Sequence, residues 1–136
     1  MGISDITEAI AGVAAELTGM RGAPARAPDS INAYPFAITY CRRGTWRAND
    51  ATFKTGLLTF VCDIHLGRLP DLGRVLGAHE EYVNEFPNAL LADLTLDSAV
   101  DTINDIRYEL LPLYYAGVET FAYRFEIDIK YESAIT

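Results

Sequence analysis

From Phe121 to Glu132 apolar and polar residues alternate without a break: Phe121, Tyr123, Phe125, Ile127, Ile129 and Tyr131 against Ala122, Arg124, Glu126, Asp128, Lys130 and Glu132. A helix advances about 100° per residue and would scatter this set around its axis, whereas an extended chain puts every second side chain on one side. The segment is therefore a strand with one wet and one dry face, the signature of an antiparallel sheet covered on one side. Such a strand cannot stand alone, so the rest of the chain must supply neighbours and a cover.

Three further segments qualify as neighbours. Phe36, Ile38 and Tyr40 alternate with Ala37, Thr39 and Cys41, and Leu58, Phe60, Cys62, Ile64 and Leu66 alternate with Thr59, Val61, Asp63 and His65. A third runs from about Ile106 to Tyr115, and Ala116-Gly117 is the tight turn that joins it to the last strand. Pro112 donates nothing to a ladder, which makes that strand an edge or bulged.

The cover is helical. Ile3, Ile6, Ile10, Val13 and Leu17 form one stripe, Asp5 with Glu8 resembles a capping box, and Gly19 and Gly22 end the pattern. A second helix spans about Asp71 to Glu85, with Leu72, Leu76, Val83 and Phe86 at helical spacing and Pro87 as its stop. Residues 88–104 read as an irregular connection, and residues 21–30, with Pro24 and Pro28, as a semi-extended arm. The expectation is one α+β domain over residues 1–136, ordered α-β-β-α-β-β. Residues 1–20 form the N-terminal helix, 21–30 the arm and 31–136 the core, a four-stranded mainly antiparallel sheet with helices packed on one face.

Composition narrows the function. Half the residues are apolar and no run approaches the ~20 needed to span a bilayer, so a soluble protein without a membrane partner is expected; the start lacks the basic and apolar regions of a secretory signal. Residues 1–70 hold seven Arg or Lys and six Asp or Glu; residues 71–136 hold four and thirteen, for a net charge of -8 overall. That balance argues against clamping DNA and fits either a molecule showing different charge to different neighbours or a solvated acidic face.

Chemistry-bearing residues are sparse. Asp63 and His65 share a strand face, with His79, Glu80 and Glu81 on the following helix, but spacing fixes no third metal ligand. The serines lack a nucleophile elbow and the glycines form no phosphate loop. Cys41 and Cys62 read as buried core thiols of a reducing compartment, with one bridge between neighbouring strands as the alternative. No catalytic, cofactor-binding or metal-binding residue is assigned, and the chain is expected not to be an enzyme. Arg42, Arg43 and Arg47 flank Gly44 and Trp46 in the connection between the first two strands; they suit a protein interface, with a nucleic-acid contact or a solvated basic loop as alternatives.

The order of elements, the segment Ala33-Tyr34-Pro35-Phe36-Ala37-Ile38-Thr39-Tyr40 leading to Gly44-Thr45-Trp46, the segment Gly56-Leu57-Leu58-Thr59-Phe60-Val61-Cys62-Asp63-Ile64-His65 and the ending Gly117-Val118-Glu119-Thr120-Phe121-Ala122-Tyr123-Arg124-Phe125-Glu126 resemble small neck proteins of long-tailed bacteriophages. The match is to the tail terminator (tail completion) family and covers roughly residues 31–133. The resemblance implies a structural virion protein with an α/β fold, assembled in the host cytoplasm, without catalytic residues or cofactors. It implies a hexameric ring of identical copies that caps the tail tube protein, stops its polymerisation and joins the head connector or stopper protein. It also implies that double-stranded DNA passes through the lumen without specific binding. Another neck component, a head–tail joining or stopper protein, is the alternative, and a small metal- or ligand-binding enzyme a more distant one. On this reading Arg42, Arg43, Trp46 and Arg47 are candidate subunit contacts, and Glu126, Asp128 and Glu132 candidates for an acidic lumen or surface.

Overall fold

In the computed structural model, which describes residues 2–135, the elements run α1 (Ile3–Ala15), β1 (Phe36–Ala48), β2 (Phe53–Arg68), a single 3-10 turn (Leu69–Asp71), α2 (Leu72–His79), α3 (Tyr82–Leu91), β3 (Thr102–Tyr115) and β4 (Val118–Ala134). The four strands make one open sheet in the order β1-β2-β4-β3, antiparallel at every step. The α+β architecture with helices on one face of an antiparallel sheet follows the expected plan.

Alternation decides which face is covered. Phe60, Cys62 and Ile64 of β2 lie beside Ile127, Phe125 and Tyr123 of β4, and α1 and α3 close over them with Ile6, Ile10, Ala14, Tyr82, Phe86 and Leu90, all buried. Phe86 meets Phe125 edge-to-face at a centroid distance of 4.9 Å. Burying such a ring contributes about 1.5–3 kcal/mol, which gives the short helices the stability they lack alone. The segment after α1 is latched to α3, where the Tyr82 hydroxyl donates to the Thr18 carbonyl at 2.7 Å and Thr18 donates its amide to Glu85 at 2.8 Å.

The structure corrects the sequence reading in several places. The second helix is two: α2 ends at His79 and α3 begins at Tyr82, with Pro87 inside α3 rather than stopping it. Burial of Tyr82, Phe86 and Leu90 along one face holds the helix across the missing proline N–H. Residues 88–91 thus belong to α3, and β3 begins at Thr102 instead of Ile106. Asp5 sits at the third helical position, where its carboxylate accepts the Gly2 amide at 2.7 Å, so Gly2 and not Asp5 is the N-cap. Arg42, Arg43 and Arg47 lie within β1, not in a connection; the turn is made by Asp50, which accepts the amides of Thr52 and Phe53 at 2.7 and 2.8 Å. The arm is tied to the sheet: Ala37 donates its amide to the Gly22 carbonyl at 2.8 Å, Arg21 donates to the Pro35 carbonyl at 2.9 Å, and the Tyr115 hydroxyl donates to the Pro28 carbonyl.

Ala116 and Gly117 close the β3–β4 hairpin with φ of 52° and 80°. Positive φ at both central positions is the turn whose twist matches a hairpin, and it favours Asn-Gly. Alanine there costs on the order of 1 kcal/mol. Ala116→Asn is expected to stabilise the protein by about 0.5–1 kcal/mol, read as a higher urea midpoint with an unchanged slope; a lower midpoint contradicts this account of the turn.

Candidate functional site

The face of the sheet away from the helices collects most of the chemistry-bearing side chains. Register places Arg43 of β1, Thr59 of β2 and Asp128 of β4 in one row, and Arg107 of β3 beside Glu126 of β4. Arg107 forks onto Asp128 with N···O distances of 2.5 and 3.1 Å, and the Thr59 hydroxyl donates to the same carboxylate at 2.7 Å. The Arg107 fork, with help from Thr59, holds the Asp128 carboxyl below its usual range. Glu126 lies between Arg42 at 3.5 Å, Arg43 at 3.4 Å and Arg107 at 3.9 Å. A bulge between Cys41 and Arg43 lets two successive arginines reach one carboxylate.

A second group lies nearer the N-terminal end of β1. Arg124 grips Asp63 bidentately at 2.8 and 3.1 Å, and the Tyr40 hydroxyl donates to Asp63 at 3.2 Å. Burial, then the neighbouring Asp63 charge, raises the Tyr40 pKa, while the bond to Asp63 raises that of Arg124. The Asp63 side chain is only 7% exposed, so this is a sequestered pair, unlike the rim pairs of Arg42 and Arg43. His65, two residues along, is buried; its Nδ1 lies 2.7 Å from the Thr120 hydroxyl and Tyr115 packs edge-on against its ring. Burial lowers its pKa.

These contacts settle where the candidate residues lie. Asp63 and His65 share a face as expected, but Asp63 is committed to Arg124 and Tyr40 and His65 to Thr120. His79 is on the helical side, stacked on Tyr82, and so is not brought to them. Among the described residues no group of three or more His, Cys, Asp or Glu could hold a metal. The thiols are both free; Cys62 is buried, with its pKa pushed up to about 12 by burial, whereas Cys41 is exposed, against the core position expected for it. Cys41 shares the covered side's parity but lies on the edge strand β1, which is exposed from Tyr40 onward.

Of the basic cluster, Arg42 and Arg43 meet Glu126, and Trp46 turns to the other face, where it lies over Gly56, packs edge-on against Tyr131 at 6.2 Å and carries the Lys54 ammonium at 4.3 Å. A side chain at Gly56 would stand 2.9 Å from the Trp46 ring, so the glycine admits the indole. Arg47 is exposed at the far end of β1. Of the acidic set, Glu126 and Asp128 are compensated by arginines, and Glu132 accepts the Asn49 amide at 3.3 Å. The sheet face is therefore near balance, and the negative charge lies elsewhere. Residues 2–20 and 71–101, which form the helices and their connections, hold ten Asp or Glu and one Arg, Arg74. A groove of about 670 Å³ opens on that side, floored by Ala9, Val13, Leu96 and Ala99 and rimmed by Asp5, Glu8, Glu16, Asp93 and Asp97. Sequence reasoning missed the groove because its walls lie far apart along the chain.

Among the described residues no helix is long and apolar enough to cross a membrane. No family model matches the chain, and no curated protein matches it.

Two expectations follow from the face. Asp63→Ala strands a partly buried guanidinium and is expected to cost about 3 kcal/mol, against less than about 1 kcal/mol for Arg42→Ala, as read by urea denaturation. Equal effects would show that burial does not rank these pairs. His65 is held neutral in the fold, so the unfolded chain takes up its proton first as pH falls below about 6.5. Stability is expected to be full above that pH and to decline below it; in His65→Gln this part of the decline is lost. A His65 ring signal that titrates at its ordinary pH in NMR contradicts this.

Proposed function

We propose that the chain is a structural component of the neck of a long-tailed bacteriophage: a tail terminator whose copies close into a ring, hexameric in the family it resembles, that caps the tail tube and joins it to the head connector. Two things support the reading. The segments quoted above resemble that family over roughly residues 31–133. The fold is an open sheet with two long edge strands, 13 residues in β1 and 14 in β3, and an open edge calls for a cover or a partner.

The observation that carries most weight is the pair of unlike edges, because a ring needs two different surfaces that meet head-to-tail. Compensated charges on one face and a net acidic layer on the other also suit a channel component, since such surfaces give DNA phosphates little to hold. In this proposal the protein resides in the virion, needs no cofactor, and meets a second copy of itself, the tube protein and the connector. No catalytic step is assigned to Asp63, which is bonded to Arg124 and Tyr40, or to His65, whose Nδ1 meets Thr120.

Light scattering of the purified chain, alone and with isolated tail tubes, is expected to show a closed oligomer; a strict monomer in both conditions overturns the proposal. Electron microscopy of particles assembled without the protein tells the neck roles apart. Overlong tails indicate termination, and unattached tails of normal length indicate a joining role.

A further inference from the structure

Resting on the ring reading, we propose that the joint between copies is an antiparallel pairing of the β1 edge of one copy with the β3 edge of the next, so that the sheet runs on through the assembly with all helices on one side. The first ground is topology. The order β1-β2-β4-β3 is antiparallel throughout and even in number, so β1 and β3 run in opposite directions. A second copy related by rotation about an axis parallel to the strands sets its β1 antiparallel to β3 of the first. The joint repeats the pairing found inside each sheet, and the operation can be repeated until it closes.

The second ground is the state of the two edges. Among the described residues, the outer side of β1 is met only at its start, by the Gly22–Phe36 bridge, and β3 pairs on one side only, with β4. Residues 38–48 and 104–115 are thus left with a row of outward backbone groups, matched in length to within a few residues; the Ile103 amide is already taken by the Leu94 carbonyl at 2.9 Å, and Pro112 offers no donor. An antiparallel ladder of ~10 residues supplies about one backbone hydrogen bond per residue pair.

Charge sets the choice of partner. β1 carries Arg42, Arg43 and Arg47 and no acid, while β3 carries exposed Asp105 and Glu109 and one arginine, Arg107, which pairs with Asp128 as Arg42 and Arg43 pair with Glu126; the β1 edge is thus net positive and the β3 edge net negative. β1 against β1 would set arginines together and β3 against β3 carboxylates; only the mixed joint sets opposite signs side by side.

The third ground is the uneven cover. Tyr108, Leu110 and Tyr114 stand on the helix side of β3, as shown by their pairing beside Phe125, Tyr123 and Glu119, yet they are 53%, 39% and 73% exposed. At the opposite edge α1 packs against β1. The mixed joint brings the neighbour's β1, with its α1, up to this bare stripe.

Cysteine chemistry on the full-length chain tests the joint. Cys41 points to the helix side of β1, so its partners must share that parity. Tyr108→Cys, Leu110→Cys and Tyr114→Cys are made singly, with Glu109→Cys as the opposite-face control. Mild oxidation is expected to give a ladder of disulfide-linked oligomers from at least one of the three, none from the control, and none from the same variants carrying Cys41→Ser. Separately, Arg47→Glu is expected to weaken self-association at least tenfold at low salt, with circular dichroism unchanged. An oligomer that persists with no ladder and no response to Arg47→Glu overturns this joint while leaving the ring. A wild-type chain that stays monomeric even on tail tubes overturns both.

Discussion

The pairing of β2 with β4 is the constraint on which the rest of the molecule hangs. These two strands occupy the centre of the sheet, and both faces of the pair are dry over much of its length. On the helix side Phe60, Cys62, Ile64, Phe125, Ile127 and Ile129 form the core under α1 and α3. On the other side Val61, Asp63, His65 and Ala122 are also buried, so every polar group there needs a partner within the protein. Asp63 finds Arg124 directly across the ladder, and His65 finds Thr120. A slip of one residue would drive Asp63 and Arg124 into the aromatic layer beside Phe86, so the ion pair contributes register as well as energy.

From that register the surface charges fall into place. Glu126 and Asp128 project beside β1 and β3 because β4 carries them there, and the arginines of the outer strands reach in to meet them. The sheet face becomes a lattice of opposite charges, each pair of modest worth in water but collectively leaving little net field. The net negative charge lies in the helical layer, where Asp5, Glu8, Glu16, Asp93 and Asp97 ring an apolar groove. The charge imbalance of the chain is thus a difference between two layers more than between two halves of the sequence.

This explains which features could be read from residues alone. The alternation of β4 and β2 and the Ala116-Gly117 turn are local patterns, and each names its own structure. Pro87 misled because its cost is local while the burial of Phe86 and Leu90 that outweighs it is tertiary. The arginine cluster looked like a loop by composition, although a single carboxylate, Asp50, organises the turn a few residues later. Cys41 looked like core because alternation gives parity but not the distance from the sheet edge to the nearest helix. The meeting of Arg42 and Arg43 with Glu126 was out of reach for a different reason. It joins the first strand to the last, and only the spatial order β1-β2-β4-β3 brings them within range.

Arginines and a bulge on β1, and carboxylates and Pro112 on β3, are devices that usually keep a sheet edge from pairing with anything. If solitude were the only requirement, the same sign on both edges would serve as well, since like charges would repel every approach. Here the signs differ, so the devices exclude each edge from its own kind while leaving the two free to meet each other. Bulges and proline also confine where a ladder can start, which fixes register in the same stroke. An edge protected against itself and open to its opposite is an arrangement that favours a closed, directional assembly over an amorphous one.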